Sequence, residues 1–147
     1  MASSASLTSV LAPKQIKEDP ESLQIWGKDW TNGFVVAPSA VVFPESLDQL
    51  QDLVAYARTH QLKLVPSGGR TGLSGGAVAS QGEVVVSFDR MNKILDFSAK
   101  DRIVTCQPGV ITANLQAFAA EQGLYYPVDS ASPGSSQTGG NVAPHAR

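Results

Sequence analysis

Cysteine and histidine are almost missing from this chain, and so is any excess of one charge. Its 147 residues include one cysteine, Cys106, and two histidines, His60 and His145. A single thiol excludes a disulfide within the chain. Two histidines far apart in sequence, with no cysteine at a ligand spacing, leave no legible metal site. Cys106 follows Ile103-Val104-Thr105, where a buried, inert thiol is expected rather than a nucleophile. Eleven basic and thirteen acidic residues leave a formal charge of −2. No basic run is present to track a phosphate backbone, so nucleic acid is not an expected partner. No apolar stretch is long enough to span a bilayer, and the N-terminus lacks the charged start and apolar core of a secretory signal. A soluble, cytoplasmic protein is the expectation, with the Ala- and Ser-rich residues 2–9 read as a frayed start or a weak organelle leader. The length suits a single domain with its own core and is too short for a two-domain enzyme.

Glycine, by contrast, is concentrated. Pro66-Ser67-Gly68-Gly69-Arg70-Thr71-Gly72-Leu73-Ser74-Gly75-Gly76-Ala77 sets five glycines among three hydroxyls and one arginine. Glycine lets main-chain N–H groups turn toward a common point, and Ser67, Thr71, Ser74 and Arg70 add donors and charge, which describes a cradle for an anion. A flexible connector is built from the same residues. The flanks are strand-like: Leu62, Leu64 and Val65 before, Glu83-Val84-Val85-Val86-Ser87-Phe88 after. No helix opens out of the loop and no Lys-Ser/Thr pair follows the glycines. Those two absences exclude a Rossmann fingerprint and a Walker loop.

Around this loop the pattern is mixed. Phe34-Val35-Val36 and Val41-Val42-Phe43 read as short strands. A helix follows, with Ser46 and Gln49 as a capping box and Leu47, Leu50, Leu53, Val54 and Ala57 as its apolar stripe, ending near His60. With the strand over 62–65 this makes a β-α-β unit whose right-handed crossover predicts parallel strands. Residues 84–88, 94–97 and 102–106 read as three strands joined by short polar turns, an antiparallel half. Thr112 is expected to cap a second helix packed through Leu115, Phe118 and Ala119 and stopped by Gly123. Leu124-Tyr125-Tyr126 looks strand-like. The tryptophans and tyrosines are read as packing groups and given no role.

A second polar loop runs over 127–142, Pro127-Val128-Asp129-Ser130-Ala131-Ser132-Pro133-Gly134-Ser135-Ser136-Gln137-Thr138-Gly139-Gly140-Asn141-Val142. Alone it reads equally as a disordered turn. Two donor-rich glycine loops about sixty residues apart, both at strand ends of one small α+β domain, suggest one long ligand that touches both.

These residues carry a resemblance. The first loop, Val84-Val85-Val86-Ser87-Phe88-Asp89-Arg90-Met91-Asn92, Cys106-Gln107-Pro108-Gly109-Val110, Tyr126-Pro127-Val128-Asp129 and Ser135-Ser136-Gln137-Thr138-Gly139-Gly140-Asn141-Val142-Ala143 together resemble the FAD-binding domain of the vanillyl-alcohol-oxidase, or p-cresol-methylhydroxylase (PCMH), type. Within that superfamily the pattern is similar to the D-lactate, glycolate and D-2-hydroxyglutarate dehydrogenases. The likeness implies an α+β domain with a small parallel β-α-β subdomain, then a largely antiparallel sheet with flanking helices. It implies FAD, with the pyrophosphate wrapped by Ser67, Gly68, Gly69, Arg70, Thr71, Gly72, Leu73 and Ser74. Pro127, Asp129, Gly134, Ser135, Thr138, Gly139 and Asn141 would lie along the cofactor. Relatives often tether the flavin through a histidine where this chain has Arg70, and a guanidinium cannot form that bond but pairs with phosphate, so non-covalent FAD is expected.

The implied activity is oxidation of a D-2-hydroxy acid to the 2-oxo acid, with electrons passed to an acceptor other than NAD. The resemblance covers about 34–143, after an N-terminal extension over 1–33. Relatives continue well beyond the point where this chain reads Pro144-His145-Ala146-Arg147. A domain over 34–147 cut at its C-terminal end, with the substrate domain absent, is therefore the expectation, and no catalytic residue can be named. The rival reading is a non-catalytic flavin- or nucleotide-binding module, or an inactive fragment.

Overall fold

A computed structural model describes residues 7–128 and 132–143. At its centre stands β4 (Val84–Ser87), every residue of which is buried. A strand of three valines can satisfy both faces and both edges only inside a sheet, as parallel strands of α/β proteins do. Here β2 (Ala40–Val42) pairs with one edge of β4 and β3 (Leu64–Ser67) with the other, both parallel, so that Val41 and Val65 each lie opposite Val85. A two-residue strand β1 (Ile16–Lys17) closes the far edge antiparallel to β2, giving the order β1-β2-β4-β3.

Alternation along the strands splits the core in two. Ala40, Val42, Val84 and Val86 pack with Leu7, Leu11 and Leu53 on one face, while Val41 and Val85 meet Phe43 and Ala79 on the other. The β-α-β unit is therefore parallel as expected, but β4 is inserted between its two strands. That corrects the assignment of residues 84–88 to the antiparallel half: a strand buried on both sides needs two neighbours, and a hairpin edge supplies one. Residues 34–36 form no strand. Val35 is 78% exposed, and the nearby main-chain bonds begin at Ala37, whose N–H donates to the Ala79 carbonyl and whose carbonyl accepts from Gly82 N–H, each at 2.9 Å.

Helix α2 (Leu47–Thr59) runs between β2 and β3 with Ser46 as its N-cap and His60 at its C-terminal end. Ser46 Oγ accepts from Gln49 N–H at 3.2 Å, but the Gln49 side chain reaches Glu45 N–H at 2.9 Å rather than that of Ser46. Only half of the capping box forms, because Gln49 Oε1 also accepts from the buried Gln15 at 2.8 Å. Leu53 and Ala57 are buried and Leu50 packs on the core, whereas Leu47 and Val54 face solvent. The stretch over 7–33 folds onto this layer. It supplies Leu7, Leu11, β1 and helix α1 (Pro20–Trp26), whose cap Asp19 accepts from Ser22 N–H at 2.9 Å.

The second half is a hairpin, β5 (Ile94–Ser98) with β6 (Ile103–Cys106), antiparallel with an irregularity between Ile94 and Asp96. Helix α3 (Thr112–Glu121) packs against it, Phe97 and Phe118 meeting edge to face at 5.5 Å. Thr112 is the first helical residue and does not cap. Its hydroxyl is drawn sideways to the Ser136 carbonyl at 3.1 Å, and Ile111 takes the cap position without a side-chain bond. Gly123 does end the helix region, at φ +70°. Residues 124–126 find no strand partner among the described residues. Cys106 is half-buried, and burial pushes its thiol up. No helix among the described residues is long and apolar enough to cross a membrane.

Candidate functional site

The first glycine loop leaves β3 at Ser67, which is buried with its hydroxyl 3.5 Å from the Trp26 carbonyl. That hydroxyl serves the fold. Beyond it, among the described residues, none of the main-chain N–H groups from 68 to 74 donates to another protein group. Half-buried or exposed donors without partners are what an anion-binding loop presents. Arg70 holds φ +59°, a left-handed conformation that sets its side chain back over the loop. Its Nη1 donates to the Gly68 carbonyl at 3.0 Å and lies 3.5 Å from Asp89 Oδ2, with the guanidinium 5.6 Å from the Trp26 ring centre.

The second loop is fastened at many points. Thr138 donates to the Val110 carbonyl through both its N–H and its hydroxyl, each at 2.8 Å. Asn141 Nδ2 donates to Thr112 Oγ1 at 2.7 Å, and Gly139 N–H to the Pro108 carbonyl at 2.8 Å. Pro108 lies so near Gly139 that an added Cβ would stand 2.6 Å from its side chain. Residues 138–142 form a short helix, α4 (Thr138–Val142), where the sequence suggested an open loop.

The two loops touch. A Cβ on Gly69 would run into the Ser135 carbonyl, so only glycine permits this approach. Between them opens a cleft of about 530 Å³ lined by Gly69, Arg70, Gly134 and Ser135 together with Asp89, Asn92, Gly109, Ile111, Asn114 and Gln137. Of the expected cofactor residues, four therefore line the cleft. Gly68 lies just behind it, against Gln137. Thr71, Gly72, Leu73 and Ser74 form the outer rim of the first loop, and Pro127 is exposed. Ser67, Thr138, Gly139 and Asn141 hold the walls. Asp129 lies outside the described residues.

Asp89 organises the base of the cleft, and sequence reasoning assigned it no role. Its carboxylate accepts from Trp26 Nε1 at 2.8 Å and from Gln137 Nε2 at 2.7 Å, besides facing Arg70. Gln137 is only 6% exposed, and its Oε1 is a buried acceptor with no partner among the described residues. An orphaned acceptor is costly unless something completes it. Beside free N–H groups, Arg70 and two asparagines, it suits a ligand with phosphates for the donors and hydroxyl or N–H groups for the acceptor. FAD carries all of these. The signal for Asp89 was present, as a carboxylate two residues past the buried strand Val84–Ser87, but its three partners come from segments up to 63 residues away.

Residues 38–146 match the family described as FAD binding domain. The chain belongs to this family. Among curated relatives of the FAD-binding family, the D-2-hydroxyglutarate dehydrogenase of Stutzerimonas stutzeri (strain A1501) is 58% identical over 140 residues, 95% of this chain and 30% of the relative. The chain thus spans about 30% of the length of that protein. Of solved structures, an alkyldihydroxyacetonephosphate synthase superposes with a TM-score of 0.85 at 24% identity, over 95% of this chain and 30% of that one. A p-cresol methylhydroxylase gives 0.78 at 21% identity, over 94% and 28%. The α+β architecture is accordingly that of PCMH-type FAD-binding domains, and FAD is the cofactor of the family.

Proposed function

We propose that this chain is the FAD-holding part of a flavoenzyme that oxidises a D-2-hydroxy acid, of the D-2-hydroxyglutarate or D-lactate type, to the 2-oxo acid. The observation that carries the reading is the 58% identity to a D-2-hydroxyglutarate dehydrogenase, running through both loops of the cleft. FAD, when bound, supplies the two-electron acceptor. The residues of this chain bind and orient it. Free N–H groups over 68–74 hold the pyrophosphate, and Arg70, which commits one nitrogen to Gly68 and Asp89, turns its others to a phosphate oxygen. Gly134 and Ser135 lie along the cofactor on the opposite wall, with Pro127 further along it. Thr138, Gly139 and Asn141 keep that wall in place.

FAD is held non-covalently in this reading, since a guanidinium offers no nucleophile to the flavin ring. Substrate contacts and the path to the electron acceptor belong to residues outside this chain, and the protein works in the cytoplasm. A second reading is a flavin- or nucleotide-binding module without activity of its own, for which the cleft between the two loops is equally suited. Purified chain with a yellow flavin spectrum, whose colour moves to the supernatant on acid precipitation, supports the first part. Colour that stays with the pellet refutes non-covalent binding. Turnover of D-2-hydroxyglutarate by the chain alone would overturn the assignment of substrate contacts elsewhere.

A further inference from the structure

The outer half of the first loop is not free-standing. Trp30 N–H donates to the Gly72 carbonyl at 3.0 Å, and three residues on Gly75 N–H donates to Thr31 Oγ1 at 2.7 Å. Thr31 is itself held, its N–H donating to Asp29 Oδ1 at 2.8 Å, and Asp29 is 8% exposed. The Phe34 ring lies against Gly75, where a Cβ would stand 3.0 Å from it, and Gly75 has φ +74°. One acceptor and one donor of the turn are thus taken up by a segment more than forty residues earlier in sequence.

We propose that residues 29–34, which precede the family match at 38–146, belong to the FAD site, with Thr31 as the residue that positions the phosphate-binding turn over 72–75. This rests on the FAD reading above. A trans peptide unit points its carbonyl and its N–H in opposite directions. Holding the Gly72 carbonyl on Trp30 therefore directs the Leu73 N–H, in the same unit, away from the strap and leaves it for the ligand. Glycine-rich backbone loses more freedom than any other when it is ordered around a ligand. A turn already fixed at 72 and 75 has lost that freedom beforehand, so binding is tighter. Thr31 supplies the side-chain half of the fixation.

The test is FAD titration of the cofactor-free chain, with amide exchange at Gly75 and thermal unfolding followed in parallel. Thr31→Val keeps the shape and removes the acceptor. It is expected to weaken FAD about tenfold, the scale of one hydrogen bond, and to speed Gly75 exchange while the unfolding midpoint holds. Thr31→Ser is expected to restore both. If Thr31→Val unfolds the chain, Phe34→Ala, which removes the ring over Gly75 and no hydrogen bond, is expected to weaken FAD about threefold. Wild-type affinity in Thr31→Val, or in Phe34→Ala where that variant is needed, overturns the role of the strap alone. Failure of Thr31→Ser to restore affinity overturns it too. A folded wild-type chain that takes up no FAD refutes the cofactor reading, and the strap's role falls with it.

Discussion

The two sheets of this molecule are finished to different degrees. In the four-stranded sheet β4 has a neighbour on each edge and a packed cluster on each face. The hairpin β5–β6 has two strands, leaves Leu95 and Ile103 each 60% exposed, and borders a second cleft of about 460 Å³ against α3. An isolated hairpin is marginal in water. This one is held by Phe97 on Phe118 and by the turn through Pro108 and Gly109 that also anchors the second glycine loop. The cleft proposed to hold FAD lies where the two regions meet, one loop rooted in the finished sheet and the other in the unfinished one. The site therefore depends on the weaker region for half its wall.

Substitutions can break or sharpen that contrast. Leu53→Ala, in the core of the finished sheet, is expected to cost about 2–5 kcal/mol in urea unfolding, with loss of the folded chain at the upper end. Gly69→Ala sets a methyl against the Ser135 carbonyl at the junction. Forcing the loops apart should cost about 1–3 kcal/mol and weaken FAD in titration by more than tenfold, whereas the same change at Gly76, beside which the structure has open space, should leave affinity unaltered. Leu95→Ala or Ile103→Ala on the open hairpin should change stability by within about 0.5 kcal/mol. A cost near that of Leu53→Ala would mean that the hairpin is as tightly packed as the sheet.

The smallest effect concerns Cys106. Its thiol is raised by burial, so the folded chain keeps the proton after the unfolded chain has lost it. The resulting contribution is intact below the thiol's ordinary value and is lost as pH rises through the folded one. Cys106→Ala should flatten a slight alkaline decline in stability, and alkylation of Cys106 should be slower than that of a free thiol.

What sequence reasoning reached, and what it missed, follows the same division by range. Local signals were sufficient for α2, for its end near His60, for the left-handed Gly123 and for the first glycine loop, but not for the helix α4 within the second. Each rests on residues within a turn or two of one another. Pairings across the chain were not legible. That β4 lies between β2 and β3 depends on which edges remain unsatisfied after folding. Thr112 has the side chain of a cap but lies beside Ser136, and Gln49 serves Gln15 and Glu45 in place of its own cap. Asp89 and Gln137 gain their meaning only together, and Thr31 only beside Gly75.

The central claim is that both glycine loops form one FAD site. Amide hydrogen exchange of the chain with and without FAD tests it most directly, because it reads each loop separately. The account predicts slowed exchange on adding FAD in both 68–74 and 134–137. Slowing in one loop alone, or in neither, would contradict it.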